Sequence, residues 1–353
     1  MNSLFDKITA QYSKKMPFVT YRKPNEKNIA AFFMPNAKLS FVSSFEEEGF
    51  VFAPFDSEEK AILFPEKKAL FLFEEVQVDT YSLDDIVFKV DNSSKEKHVR
   101  TVEKAIEKIK AGDLQKVVIS REELIFISDF DLLEIYKKLL STYKNAFVYI
   151  WFHPKVGLWL GATPETLLNI EGTKFNTMSL AGTQLYKENE TVVWKSKELE
   201  EQQLVTNFIE NKLVTIATNL EIDKTETVRA GNLLHLRTKV SGELQNSSNL
   251  KKMIRALHPT PAVCGLPRGN AKDFITTNEN YHRSFYSGFL GELNLRGTKE
   301  SENCSSLFVN LRCMKIENNT ASIFVGGGIT KDSNAENEWE ETVSKAKTMK
   351  RVL

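Results

Sequence analysis

The chain has 353 residues, 41% of them hydrophobic and 27% charged, and 47 Lys and Arg balance 47 Asp and Glu. That length supports a large core in one big domain or two smaller ones, while zero net charge argues against nucleic acid, which calls for a basic surplus. Cys264, Cys304 and Cys313 show neither metal spacing nor a disulfide framework. Without a signal-like apolar start or a run of about 20 apolar residues, a reducing, cytoplasmic setting away from membranes is expected.

In chain order, strand-like runs come first: AAFFM, LSFVSSF, GFVFAPF and ALFLF. This first quarter is chemically quiet, and DNSSKEK at Asp91–Lys97 is the candidate junction. A helix is expected over Lys97–Ala111, where Val102, Ile106 and Ile109 share a face and Gly112 can end it. KVVISR, FVYIWF, VGLWLGA and LLNIEG follow as strands, a second helix runs from Trp194 to about Ile216, and then come LFVNLRCMKI and ASIFVGGGI. The last helix is expected over Ala335–Val352. Strands cluster instead of alternating with helices, so the fold class is α+β with sizeable antiparallel sheets.

Two carboxylate pairs stand out. Glu198 and Glu201 are three apart on a stripe that continues through Val205 and Phe208, so they point inward at one end of their helix. Buried carboxylates are costly unless paired or metal-bound. Glu338 and Glu341 repeat the spacing beside an apolar stripe of Trp339, Val343, Ala346 and Met349. Two such helices can hold a hard cation through oxygens and water, for which Mg2+ is best suited. They can equally be solvated faces, since Lys345 follows Glu341 at ion-pair spacing. The triplet Gly326–Gly328 reads as a turn that either cradles an anion or simply turns the chain.

Lys116 opens a β-branched strand with Val118 and Ser120 on its side of the pleat, where it either acts as a base or snorkels to solvent. Glu165, just after a strand, Gly161 and Pro164, is a general acid if burial favours its neutral form, or a plain loop carboxylate. Arg312, set in a strand among Val309, Leu311 and Met314, calls for an anionic partner. His98, His153, His235, His258 and His282 lack ligand spacing and read as structural or surface residues. Together these residues describe an enzyme acting on a small polycarboxylate.

KVVISR, GATPETLL, SLAGT, KELEEQ, HPTPAVCGLP, RSFYSGFLG and VGGGI with ENEWEETVSKAK stand in the order of the chorismate-utilising enzymes. Within that family the chain resembles an isochorismate synthase from about Lys97 to the carboxyl terminus. The resemblance implies one catalytic domain over 1–353, with 1–96 as shortened amino-terminal strands and 97–353 as the family core. It implies direct Mg2+ ligands at Glu201 and Glu341, water-mediated ones at Glu198 and Glu338, and a metal-held ring carboxylate. Gly182, Arg312, Gly326 and Lys345 fall at carboxylate-binding positions. Lys116 corresponds to the base that activates water for attack at C2, and Glu165 to the acid that protonates the departing C4 hydroxyl.

Ammonia-using relatives carry another residue type, commonly glutamine, at the Lys116 position, so no amidotransferase subunit is expected, and a monomer suffices. Ala262 resembles isochorismate synthases, whereas salicylate synthases, which go on to eliminate pyruvate, tend to have threonine nearby. Gln202 stands where a histidine usually follows the metal-binding glutamate, and His282 where an acidic residue often precedes the arginine; these departures bear on subfamily and rate. Menaquinone and siderophore pathways both begin with isochorismate, and menaquinone is favoured because nothing signals a siderophore assembly line.

Overall fold

The computed structural model describes residues 3–81, 92–188, 191–231, 233–296 and 303–353. Nearly all of the structure organises around two antiparallel sheets. The first runs Gly265–Leu266, Lys116–Phe126, Thr320–Ile329, Cys313–Glu317, Gly157–Thr163, Phe147–His153, Phe18–Arg22, Asn28–Phe33 and Leu70–Glu75. The second runs Ala217–Ile222, Leu233–Leu244, Lys174–Leu185, Thr166–Glu171, Asn303–Val309, Phe289–Arg296, Gly49–Ala53, Ile62–Pro65 and Ser40–Phe41, with Glu226–Ala230 on the Leu233 strand. The fold is α+β, as the clustering of strand-like runs predicts.

The sheets pack face to face on an aromatic layer. Along Phe147–His153 the side chains alternate, with Phe147, Tyr149 and Trp151 facing the second sheet and Val148, Ile150 and Phe152 facing helices. Both faces are covered, which is why the run is continuously apolar. Phe147 meets Phe308 at 4.3 Å and Trp151 meets Phe52 at 4.8 Å between ring centroids, and each such buried ring contributes about 2–3 kcal/mol. Leu4–Ser13, Leu132–Thr142 and Ala335–Lys350 cover the outer face of the first sheet. Ser196–Leu213 and Leu250–Leu257 cover the second.

The first 96 residues supply strands to both sheets, so the Asp91–Lys97 stretch is not a boundary between separate sheet systems. Asp91 lies outside the described residues, and Asn92–Lys97 is the start of the helix Asn92–Lys110, which begins earlier than the apolar spacing indicates because its first turns are polar. Gly112 follows that helix at φ +86. Among the described residues no helix is long and apolar enough to cross a membrane.

The chain passes from one sheet to the other at two corners that position the site. Gly157–Thr163 leads through Pro164 and Glu165 into Thr166–Glu171, and Asn303–Val309 leads through Asn310–Arg312 into Cys313–Glu317. LFVNLRCMKI is therefore not one strand, and Arg312 lies in the break at φ +48, a conformation costing about 1–2 kcal/mol for a residue with a side chain. The corners are bonded to each other: Val309 N–H donates to the Glu165 carbonyl and Ala162 N–H to the Arg312 carbonyl, both at 3.0 Å.

Candidate active site

A cavity of about 670 Å³, its open mouth included, lies where these corners meet the Lys174–Leu185 and Thr320–Ile329 strands. Its wall includes Glu165, Gly182, Glu201, Arg312, Gly326 and Lys345. Lys116 is fully buried, with Nζ 2.9 Å from Glu201 Oε1, an ion pair not aligned as a hydrogen bond.

Gly326–Gly328 is not a turn. It is regular strand, paired with Ser120, Ile119 and Val118. Glycine leaves space there for neighbouring carboxylates, most tightly at Gly328. A Cβ on Gly328 would lie 2.0 Å from Glu201 Oε1, and one on Gly327 would lie 3.4 Å from both Glu338 Oε2 and Glu341 Oε1. Three of the four predicted glutamates thus converge on this strand. Glu198 does not join them: its carboxylate accepts from Lys195 N–H at 3.0 Å, capping its own helix, as suits an acid at the third helical position. Gly182, at φ +67, sits in an irregularity of the Lys174–Leu185 strand between Ala181 and Gln184, where a Cβ would be 3.1 Å from that of Glu198.

Each converging carboxylate meets a lysine. Glu201 meets Lys116, Glu341 meets Lys345 at 2.6 Å, and Glu338 is hydrogen-bonded to Lys197, a residue with no distinguishing signal in the sequence. Lys345 also donates to the Gly326 carbonyl at 2.9 Å. Burial, then repulsion from Glu341, pushes Glu338 up to about 7 against the pull of Lys197. Burial acts upward on Glu341 too, but Lys345 and Lys197 outweigh it and hold the group below its ordinary value.

The donor set suits a hard cation. It is all carboxylate oxygen, and Glu338 Oε2 is buried without a partner. Among the described residues no three acidic, histidine or cysteine side chains stand around one point at ligand distance. Mg2+ is commonly held by only one or two carboxylates, with water and substrate completing the shell.

Glu165 is buried, and desolvation pushes its carboxyl up to about 8 although Lys116, Arg312 and Lys345 oppose this. It is a protonated acid at neutral pH. His235, expected from the sequence to be structural or on the surface, lines the cavity. Burial, followed by the charges of Arg312 and Lys345, depresses it to about 3. As a neutral ring it donates from Nδ1 to the Gly182 carbonyl at 2.9 Å, which leaves Nε2 to accept from Arg312 Nη2 at 3.4 Å. Tyr286 and Ser287 also line the cavity. RSFYSGFLG contains them but carries no spacing that marks them as polar wall residues.

The two departures from the family pattern lie apart from the cavity wall. Gln202 faces the sheet, donating to Ser179 Oγ at 2.7 Å and Thr238 Oγ1 at 3.0 Å, and so seats the helix that carries Glu201. His282 is on the surface, 3.0 Å from Glu59 Oε1. The acidic partner of Arg283 is Glu279, whose Oε2 accepts from Nε at 2.7 Å.

One cavity wall thus holds a buried carboxyl and an arginine with an unpaired nitrogen, and Glu201 of that wall is paired with the buried Lys116. The chain belongs to the chorismate binding enzyme family, which it matches over residues 54–353. It is similar to isochorismate synthase MenF of Bacillus subtilis, 28% identical over 287 residues that make up 78% of this chain and 59% of that protein. It thus spans about 59% of that curated relative's length. Its fold resembles DhbC of Bacillus anthracis, assigned as a 2,3-dihydroxybenzoate-specific isochorismate synthase, with a TM-score of 0.81 at 24% identity over 99% of each chain. It also resembles MenF of Escherichia coli, a menaquinone-specific isochorismate synthase, with a TM-score of 0.77 at 23% identity over 96% of this chain and 88% of the other.

Proposed function

We propose that the chain is an isochorismate synthase, converting chorismate reversibly to isochorismate with Mg2+ and working as one catalytic domain. The observation that carries this reading is the buried, protonated Glu165 in one cavity with Arg312 and beside the Lys116–Glu201 pair. Water is a poor nucleophile and hydroxide a poor leaving group, so the exchange needs a base for one and an acid for the other. Lys116, acting as the neutral amine, takes a proton from the water that attacks C2. The ring double bonds shift, the C4–O bond breaks, and Glu165 delivers its proton to the departing hydroxyl, which leaves as water. One water enters and one leaves, so the step is an isomerisation.

Glu201 and Glu341 would hold Mg2+ directly and Glu338 through water, and the ion would orient the ring carboxylate and offset its charge. Glu198 Oε2 accepts from the Lys195 N–H, so a water-mediated role would fall to Oε1. Arg312, Lys345 and the backbone at Gly182 and Gly326 bind carboxylate. Ala262 in the wall supports product release at isochorismate instead of onward pyruvate elimination. The kinship with MenF supports a menaquinone route.

Incubation of the purified protein with chorismate, with and without Mg2+, followed by chromatography, tests the reading. Isochorismate is expected only with Mg2+, stopping at an equilibrium mixture without pyruvate. Salicylate with pyruvate would reassign the chain to salicylate synthesis, and unchanged chorismate would remove the catalytic reading altogether.

A further inference from the structure

Ser287 stands in the cavity wall at φ +62, a backbone conformation that disfavours side chains, and it is only 1% exposed. Glycine would fit there without strain. The hydroxyl gains nothing from the protein, since Oγ has no hydrogen-bond partner. Among the described residues of the wall, only one other has a buried side-chain nitrogen or oxygen left unpartnered: Arg312, at Nη1.

The two sit on segments that are bonded to each other. Ser287 N–H donates to the Asn310 carbonyl at 2.9 Å and Asn310 N–H to the Gly288 carbonyl at 2.8 Å, tying the serine to the segment that reaches Arg312 two residues later. Asn310 is fixed in turn, accepting from the Tyr149 hydroxyl at 2.6 Å and donating to the Phe285 carbonyl at 2.9 Å. Arg283 holds the other side, donating to the Val118 and Val263 carbonyls at 2.8 Å. A hydroxyl and a guanidinium N–H, both without acceptors in one rigid corner, form an incomplete donor set for an anion.

We propose that Ser287 is a substrate-binding residue whose hydroxyl donates, beside Arg312 Nη1, to one carboxylate of the substrate. This rests on reading the cavity as a chorismate site and adds a contact to it. Serine here works against its own backbone, so truncation separates binding from stability. Ser287→Ala and Ser287→Gly are assayed for chorismate turnover with Mg2+ and for melting temperature.

Loss of one hydrogen bond to a charged group predicts a KM raised about tenfold with kcat changed less than about twofold. The melting temperature of Ser287→Gly is expected to equal or exceed that of the wild type. KM values unchanged in both variants, or a KM rise matched by a loss of melting temperature, overturn the assignment while leaving the chorismate reading intact. A wild-type protein that neither binds nor converts chorismate overturns that reading, and this contact with it.

Discussion

The protonation of Glu165 follows from where its corner places it. Burial favours the neutral carboxyl more than the cations Lys116, Arg312 and Lys345 favour the charged one, and the group titrates at about 8. As a general acid it is active when protonated, so loss of its proton should cut kcat/KM as the pH rises through 8. Glu165→Gln should lose this alkaline limb together with about a hundredfold or more of kcat, the usual worth of a positioned acid. A pH profile of both proteins decides this. An alkaline limb that persists in the variant would assign it to another group, and near-normal turnover would remove the acid from the mechanism.

At the scale of elements, the site depends on a bare strand between two helices. The atoms nearest to a Cβ at Gly328 are not backbone. Gly328→Ala meets the ends of two side chains, 2.0 Å from Glu201 Oε1 and 3.0 Å from Lys116 Cε. Side-chain ends can swing away, so we expect the fold to survive with a melting temperature within about 2 °C of wild type, a loss of order 1 kcal/mol or less. Turnover should fall at least a hundredfold, because both displaced groups belong to the proposed chemistry. Full activity, or an unfolded variant, would refute this account.

Much of this arrangement is legible in the sequence, and the exceptions have physical causes. Helical spacing reveals the glutamate pairs because period 3.6 survives in any packing. Spacing alone does not show that Glu198 caps its own helix. Gly326–Gly328 reads as a turn because glycine is depleted in strands, yet it forms strand because carboxylates need the room. The corner at Arg312 is hidden by a strand-like run without glycine or proline, a positive φ being borne by an arginine instead. The strand Lys174–Leu185 gives no strand signal because it mixes polar and apolar residues along its length.

At the scale of the molecule, the two-sheet core buries charge chemistry that sets its pH optimum of stability. Burial keeps His98, His153 and His258 at about 4 and His235 at about 3. Unfolding returns all four toward about 6.5. Between pH 6.5 and 4 the unfolded chain therefore binds protons that these folded rings refuse, and stability falls as the pH falls. Glu165, at about 8, and Glu338, at about 7, act oppositely: folded, they keep protons that unfolded carboxyls release above about 4.5. Four histidines against two glutamates leave the unfolded state about two protons richer near pH 5.5, a slope of about 3 kcal/mol per pH unit. Above 6.5 the histidine contribution fades, the glutamates come to outweigh it, and stability should decline toward pH 8. Urea unfolding midpoints measured from pH 4.5 to 9 should trace a dome with its crest near 6.5. Glu165→Gln should flatten the alkaline side and steepen the acid one, since the glutamate opposes the histidines there. A midpoint unchanged between pH 6.5 and 5 would mean that the buried histidines gain protons without unfolding, and the packing that excludes water from them would have to be redrawn.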